Sequence, residues 1–119
     1  MTVSGYRVND DAVQKARGLI DANQYVLESS WTEAAPSADD ENEHLERRGW
    51  DGFAAWHLAY DPDTSQETKQ RYAFPYGDFA RVHRSALIAA KQRASQNDHA
   101  DVEQAADSLL QRLDETKAD

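Results

Sequence analysis

The chain has 119 residues, no cysteine, and 13 basic against 22 acidic side chains, for a formal charge of -9. This length suffices for one domain with its own core, and without thiols neither a disulfide nor a thiolate metal site is available. The net charge repels phosphate backbones and so disfavours nucleic acid as a partner, while no stretch reaches the roughly 18 to 20 apolar residues of a membrane helix.

Residues 1 to 8 carry Arg7 but no apolar run, so no secretory signal is read there, and a cytoplasmic location is expected by elimination. Aspartate outnumbers glutamate 14 to 8 and arginine outnumbers lysine 9 to 4, a bias that fits a GC-rich genome or salt adaptation equally well. The charge is also uneven. Residues 37 to 46 hold five acids and no Lys or Arg, whereas residues 78 to 95 set Asp78 against Arg81, Arg84, Lys91 and Arg93.

The first helix is expected from an Asn9 cap to about Leu27. Asp10 and Asp11 suit its positive end, and Val13, Ala16, Leu19, Ile20, Val26 and Leu27 form one stripe. Ser29 to Pro36 reads as a loop. Ser37 then caps a second helix with acids at Asp39, Asp40 and Glu41, basic Arg47 and Arg48 at its far end, and Gly49 as its stop.

Trp50 to Tyr60 is the densest apolar segment, and its periodicity leaves helix and strand both open for residues 53 to 60. Asp61-Pro62-Asp63 is a turn, with Thr64 or Ser65 capping a short helical turn through Lys69. Arg71 to Tyr76, with aromatic residues alternating, reads as extended. Asp78 is expected to cap a helix running to Ser95, with Phe79, Val82, Ala86, Leu87 and Ala90 on one side. After a four-residue turn, a last helix from His99 to Leu113 puts Val102, Ala105, Ala106, Leu109, Leu110 and Leu113 on one face, giving an antiparallel hairpin.

Few constellations carry chemistry. Glu41 and His44 form a Glu-x-x-His pair, but a di-metal bundle needs two such pairs with further inward glutamates, so a solvated acidic helix is the plainer account. His57 and His83 read as partly buried histidines satisfied by hydrogen bonds. A catalytic or metal role would require them to converge with Asp78 or Asp51. Serine-nucleophile motifs and phosphate-cradling glycine loops are missing, so no cofactor is expected. On the helix face opposite the core, Ile88 sits among Arg81, Arg84 and Lys91. That pattern marks a docking surface, or one ordinary exposed isoleucine.

The runs Trp56-His57-Leu58-Ala59-Tyr60-Asp61, Glu67-Thr68-Lys69, Arg71-Tyr72-Ala73-Phe74-Pro75-Tyr76-Gly77-Asp78 and Val82-His83-Arg84-Ser85-Ala86-Leu87-Ile88-Ala89-Ala90 resemble a family of small bacterial proteins with no assigned activity. A similar region occurs in some phage-associated proteins. The resemblance covers about residues 50 to 114. Its polar members, His57, Lys69, Asp78, His83 and Arg84, are where it implies a site.

The expected fold is mainly α: a compact single helical domain, residues 1 to 119, with a carboxy-terminal helical hairpin and room for a short two-stranded element in the middle. Trp31, Trp50 and Trp56 are expected to cluster, and residues 1 to 8 and 115 to 119 to fray. The function expected first is a non-enzymatic protein-binding or assembly module. It would act through Arg81, Arg84, Ile88 and Lys91 or through the acidic 37 to 46 segment, with a protein partner or by self-association. The alternative is a small enzyme or metal-binding protein using His57, Lys69, Asp78 and His83. Nucleic-acid binding by the basic helix ranks third.

Overall fold

The computed structural model describes residues 6–117. Five strands and five helices follow in the order β1 (Arg7–Val8), α1 (Asp10–Asp21), β2 (Tyr25–Val26), α2 (Trp31–Ala34), α3 (Ala38–Ala54), β3 (His57–Tyr60), β4 (Tyr72–Pro75), β5 (Val82–His83), α4 (Arg84–Gln96) and α5 (Ala100–Lys117), with a 3-10 turn at Lys69–Arg71. The molecule is mostly helical, and the carboxy-terminal hairpin is present. Of the segments expected to fray, residues 1–5 and 118–119 lie outside the described residues; Arg7–Val8 is a strand and 115–117 stay helical. Among the described residues no helix is long and apolar enough to cross a membrane.

The core is the seam between α4, α5 and α1. Leu87, Ala90 and Ala94 of α4 close on Val102, Ala106, Leu109 and Leu113 of α5, with Ala12, Ala16 and Ile20 of α1 completing the layer. Alanines at the crossing let backbones approach, and leucines on either side fill the remaining volume. Leu58 and Ala59 of β3, together with Trp56 and Tyr76, cover its other end.

Strand order is β1-β3-β4, antiparallel throughout, with Arg7 opposite Tyr60 and His57 opposite Pro75. The sheet is therefore three-stranded rather than two-stranded. The question left open by periodicity divides at Ala55: helix through Ala54, strand from His57. A second, parallel pair joins β2 to β5 in the register Tyr25 to Val82 and Val26 to His83.

That parallel pair corrects two expectations. Helix α1 stops at Asp21 rather than Leu27, because Asn23 adopts a left-handed conformation (φ 62°) and the amides of Asn23 and Gln24 turn back onto the carbonyls of Ile20 and Leu19. This is a Schellman stop with asparagine in the place usually held by glycine. Val26 becomes strand and Leu27 is left 41% exposed. Asn9 precedes α1, but its side chain spans to the carbonyls of Ala54 (3.0 Å) and His57 (3.4 Å) instead of capping the helix.

The second correction concerns Asp78. It does not cap α4, which begins six residues later at Arg84; Asp78 Oδ1 instead accepts the amides of Ala80 (3.0 Å) and Arg81 (2.7 Å) and closes a tight turn. Val82 and His83 are claimed as strand by Gln24 and Tyr76, so the helix cannot start before them. Asp98, left-handed at φ 59°, ends α4 by the same Schellman geometry as Asn23, its own amide and that of His99 returning to Ser95 and Ala94.

Smaller differences follow the same logic. Ser37 does cap α3, in a reciprocal box with Asp40, but Gly49 (φ 70°, ψ -172°) interrupts the helix and a further turn carries Trp50 and Phe53 back to the body. A four-residue helix, Trp31–Ala34, occupies the expected loop, and the 3-10 turn is capped by Thr68, not Thr64 or Ser65. The tryptophans do not gather. Trp56 is core and stacks on Tyr76 at 5.1 Å, Trp31 lies against His83, and Trp50 packs on Phe53 and Tyr72.

Two glycines give opposite expectations. A methyl group at Gly77 would meet the Arg81 carbonyl oxygen and the Trp56 ring, whereas one at Gly18, on the exposed face of α1, would meet nothing within 4 Å. Gly77→Ala should therefore cost about 1 to 3 kcal/mol through overpacking, and Gly18→Ala should add roughly 0.5 to 1 kcal/mol by restricting the unfolded chain and favouring helix. Urea denaturation of the two variants measures both signs.

Candidate functional site

The candidate residues separate into three places. Asp78 and His83 meet directly, His57 and Lys69 line one cleft, and Arg84, Ile88 and Lys91 lie along the outer side of the hairpin. Arg81 stands apart, exposed on the turn before β5.

Because β2 runs parallel to β5, the chain leaving Val26 passes beside His83 and delivers Ser29 to it. His83 Nε2 lies 2.8 Å from Asp78 Oδ2, its Nδ1 lies 2.8 Å from Ser29 Oγ, and Ser29 Oγ lies 3.0 Å from Ser85 Oγ. The carboxylate can only accept, so Nε2 donates to it; in the neutral ring Nδ1 then accepts the Ser29 hydroxyl, which in turn accepts from Ser85. Burial raises the Asp78 carboxyl, but hydrogen bonds from His83 and the Arg81 and Ala80 amides outweigh it and hold the group below the ordinary aspartate range.

Aspartate, histidine and serine in this order form a relay of the kind that activates hydroxyl nucleophiles. Its surroundings differ from a reaction chamber. His83 is 5% exposed beneath Trp31, whose ring centroid is 5.6 Å away. A cleft of about 340 Å³, lined by Ala34, Pro36, Asp40, Glu43, Arg47 and Phe79 among others, opens at the Asp78 end and not at Ser29. As built, the relay ties the Ser29 loop, the Asp78 turn and the start of α4 together with every polar atom matched.

His57 is separate from this relay. It is 5% exposed, its Nδ1–H donates to the Phe53 carbonyl (2.9 Å), and its ring packs on Phe53 with centroids 4.5 Å apart. Burial is the main reason that its pKa falls from 6.5 to about 4, with the Phe53 carbonyl opposing and the charge of His44 assisting. Lys69 Nζ lies 3.3 Å from Glu41 across the same cleft.

Arg84 and Lys91 of α4 are engaged within the hairpin. Arg84 makes a two-pronged bond to Asp114 (2.9 and 3.2 Å), and Lys91 meets Asp107 at 2.8 Å. Ile88 is not ringed by cations in open solvent; it is partly buried against the core and shares a groove with Leu110. The Glu41–His44 pair does not converge on a metal either. His44 stacks flat on Phe79 (4.2 Å, 10°) and hydrogen-bonds the Gly52 carbonyl, while Glu41 turns to Lys69. Among the described residues no group of three His, Asp or Glu side chains is placed to hold a metal ion.

Ser29 and Ser85 escape any reading of the sequence, since a serine in a polar loop and one in a first helical turn carry no motif. Their roles follow from strand pairing alone. Comparison with known proteins yields no matching family, no matching curated protein and no matching solved structure.

The depressed histidine gives a pH signature with a definite sign. Protons bind His57 more readily in the unfolded chain, so its contribution is complete above pH 6.5 and is lost as pH falls toward 4, about 3 kcal/mol in all. His57→Gln keeps a donor to Phe53 but cannot titrate. Its urea-derived stability should fall less than that of the parent between these two pH values.

Proposed function

We propose that the protein is a non-enzymatic protein-binding or assembly module, and that it docks a basic partner on the acidic face of α3. The observation that carries this reading is the disposition of charge. The cations Arg84, Lys91 and Arg112 are taken up by Asp114, Asp107 and Asp21, so they cannot offset the acids elsewhere. Helix α3 buries only Phe53, and Asp39, Asp40, Glu43 and Glu46 face solvent. Asp39 and Glu46 make no ion pair among the described residues.

The cleft beside α3 adds shape to this charge. Ala34, Pro36 and Phe79 give it an apolar edge, while Asp40 and Asp78 supply carboxylates to receive a lysine or arginine beside the Arg47–Glu43 ion pair. Phe79 holds its place there in a left-handed conformation (φ 69°), a strained state for a bulky residue and of the sort found where a surface is shaped for contact. Of the cations that self-association by opposite patches or nucleic-acid binding by α4 would use, Arg84 and Lys91 are held by Asp114 and Asp107, which leaves Arg81 and Arg93. A hetero-partner of basic character is therefore the preferred version.

Zero-length carbodiimide coupling joins carboxylates to amines in contact, which makes it the direct test. Cross-links to a partner from the native host should map to residues 39 to 46, vanish in Glu43→Lys/Glu46→Lys, and weaken by about tenfold at molar salt. Cross-links confined to Asp107 and Asp114 would move the docking site to the hairpin.

A second reading, a small hydrolase, draws on the Ser29–His83–Asp78 relay. It predicts that a fluorophosphonate probe labels Ser29 and that His83→Gln abolishes labelling. Because Trp31 covers the imidazole, we expect the parent protein to remain unlabelled; labelling at Ser29 would overturn the binding-module reading.

A further inference from the structure

A cleft of about 640 Å³ lies between β4, the 3-10 turn and the α4–α5 connection. Its volume falls within the roughly 300 to 1,000 Å³ typical of small-molecule sites. Phe53, Tyr72 and Phe74 form its aromatic walls. Phe74 is left-handed (φ 61°) inside a strand, where a bulky side chain is an outlier, and its ring is held edge-on by Tyr6 (5.8 Å) and His99 (5.9 Å). Backbone strain of this kind persists where the surroundings impose it.

The polar lining is unusual for this molecule. The protein carries -9, yet the charged side chains lining the cleft are Lys69 and Glu41, paired with each other, and Arg93, a local excess of one positive charge. Arg93 differs from the other cations of α4, Arg84 and Lys91, in making no ion pair among the described residues. His57 contributes a fixed acceptor. Its Nδ1–H is committed to Phe53, so the second ring nitrogen, Nε2, carries a lone pair. Asn97 stands at the rim with both donor and acceptor capacity.

We propose that this cleft binds a small aromatic carboxylate bearing a ring hydroxyl, its ring among Phe53, Tyr72 and Phe74, its carboxylate on Arg93, and its hydroxyl donating to His57 Nε2. The aromatic walls provide stacking and apolar burial, and the unpaired guanidinium supplies charge-assisted bonds that favour an acid over a neutral ring. This site is distinct from the acidic face of α3 and stands independently of what docks there.

The probe is 4-hydroxybenzoate, titrated into the full-length, isotope-labelled chain and followed through backbone amide resonances. Saturable shifts are expected at Lys69, Ala73, Phe74, Asn97 and His99. Arg93→Ala, on an exposed side chain that leaves the fold intact, should weaken binding about tenfold, and the neutral amide of the same acid should lose a comparable factor. Benzoate, which lacks the hydroxyl, should bind several-fold more weakly through loss of the His57 contact. Arg17→Ala, a charge removed from the exposed side of α1, should leave the affinity unchanged. No saturable shift at these amides by about 10 mM, equal affinity in Arg93→Ala, or equal displacement by inorganic phosphate would overturn the proposal.

Discussion

Two residues, Val82 and His83, are held from every side, and the rest of the molecule is arranged about them. The Val82 amide bonds the Gln24 carbonyl, the His83 amide bonds Tyr76, and the imidazole spans Asp78 and Ser29. Each bond reaches a different part of the chain, so this short strand brings the segment after α1 and the aromatic middle to one line. It also sets where α4 can begin. Starting at Arg84, the helix presents Leu87, Ala90 and Ala94 to α5 and aligns Arg84 with Asp114 and Lys91 with Asp107.

The charge pattern then has a simple organisation. Ion pairs at such exposed positions contribute little to stability, so the helices are held by the alanine and leucine seam and only aligned by Arg84, Lys91 and Arg112. Their larger consequence is for the surface. With these cations committed, the acids of α3 outnumber its exposed Arg47 and Arg48, while the aromatic cleft holds Arg93, unpaired among the described residues, beside the Lys69–Glu41 pair. Both surfaces contain a bulky residue in a left-handed backbone, Phe79 beside α3 and Phe74 in the aromatic cleft. The same contacts that strain these residues, His44 on Phe79 and Tyr6 with His99 on Phe74, position their rings.

The relay of Asp78, His83 and Ser29 shows how a grouping familiar from catalysis can serve cohesion. Three groups that would be costly to bury singly are mutually satisfied, and no buried side-chain polar atom among the described residues lacks a hydrogen-bond partner. His57 is treated differently. It has a bond to one carbonyl and aromatic neighbours on its faces, so burial depresses its pKa and keeps it neutral. Two histidines of similar exposure thus have opposite surroundings, one against a carboxylate and one against phenyl rings.

What the sequence by itself determined is the local layer. The 3.6-residue recurrence of Val102, Ala106, Leu109 and Leu113, the Ser37 cap, the glycine break at residue 49 and the alternating aromatics of β4 are short-range preferences written within a few residues. The stops at Asn23 and Asp98 were within reach of the same rules, since asparagine and aspartate tolerate the left-handed conformation that a Schellman stop requires. Only the tertiary structure decided which residues meet. Asp78 is as good a helix cap as it is a turn residue, and Val82–His83 as good a helix as a strand, until Tyr25 and Gln24 arrive from some 57 positions away to claim them. The pairing of Ser29 with His83, of Arg84 with Asp114 and of His57 with the Lys69 cleft depends on that long-range closure, because contact between distant residues is governed by burial and strand pairing and has no signature in any single stretch of chain.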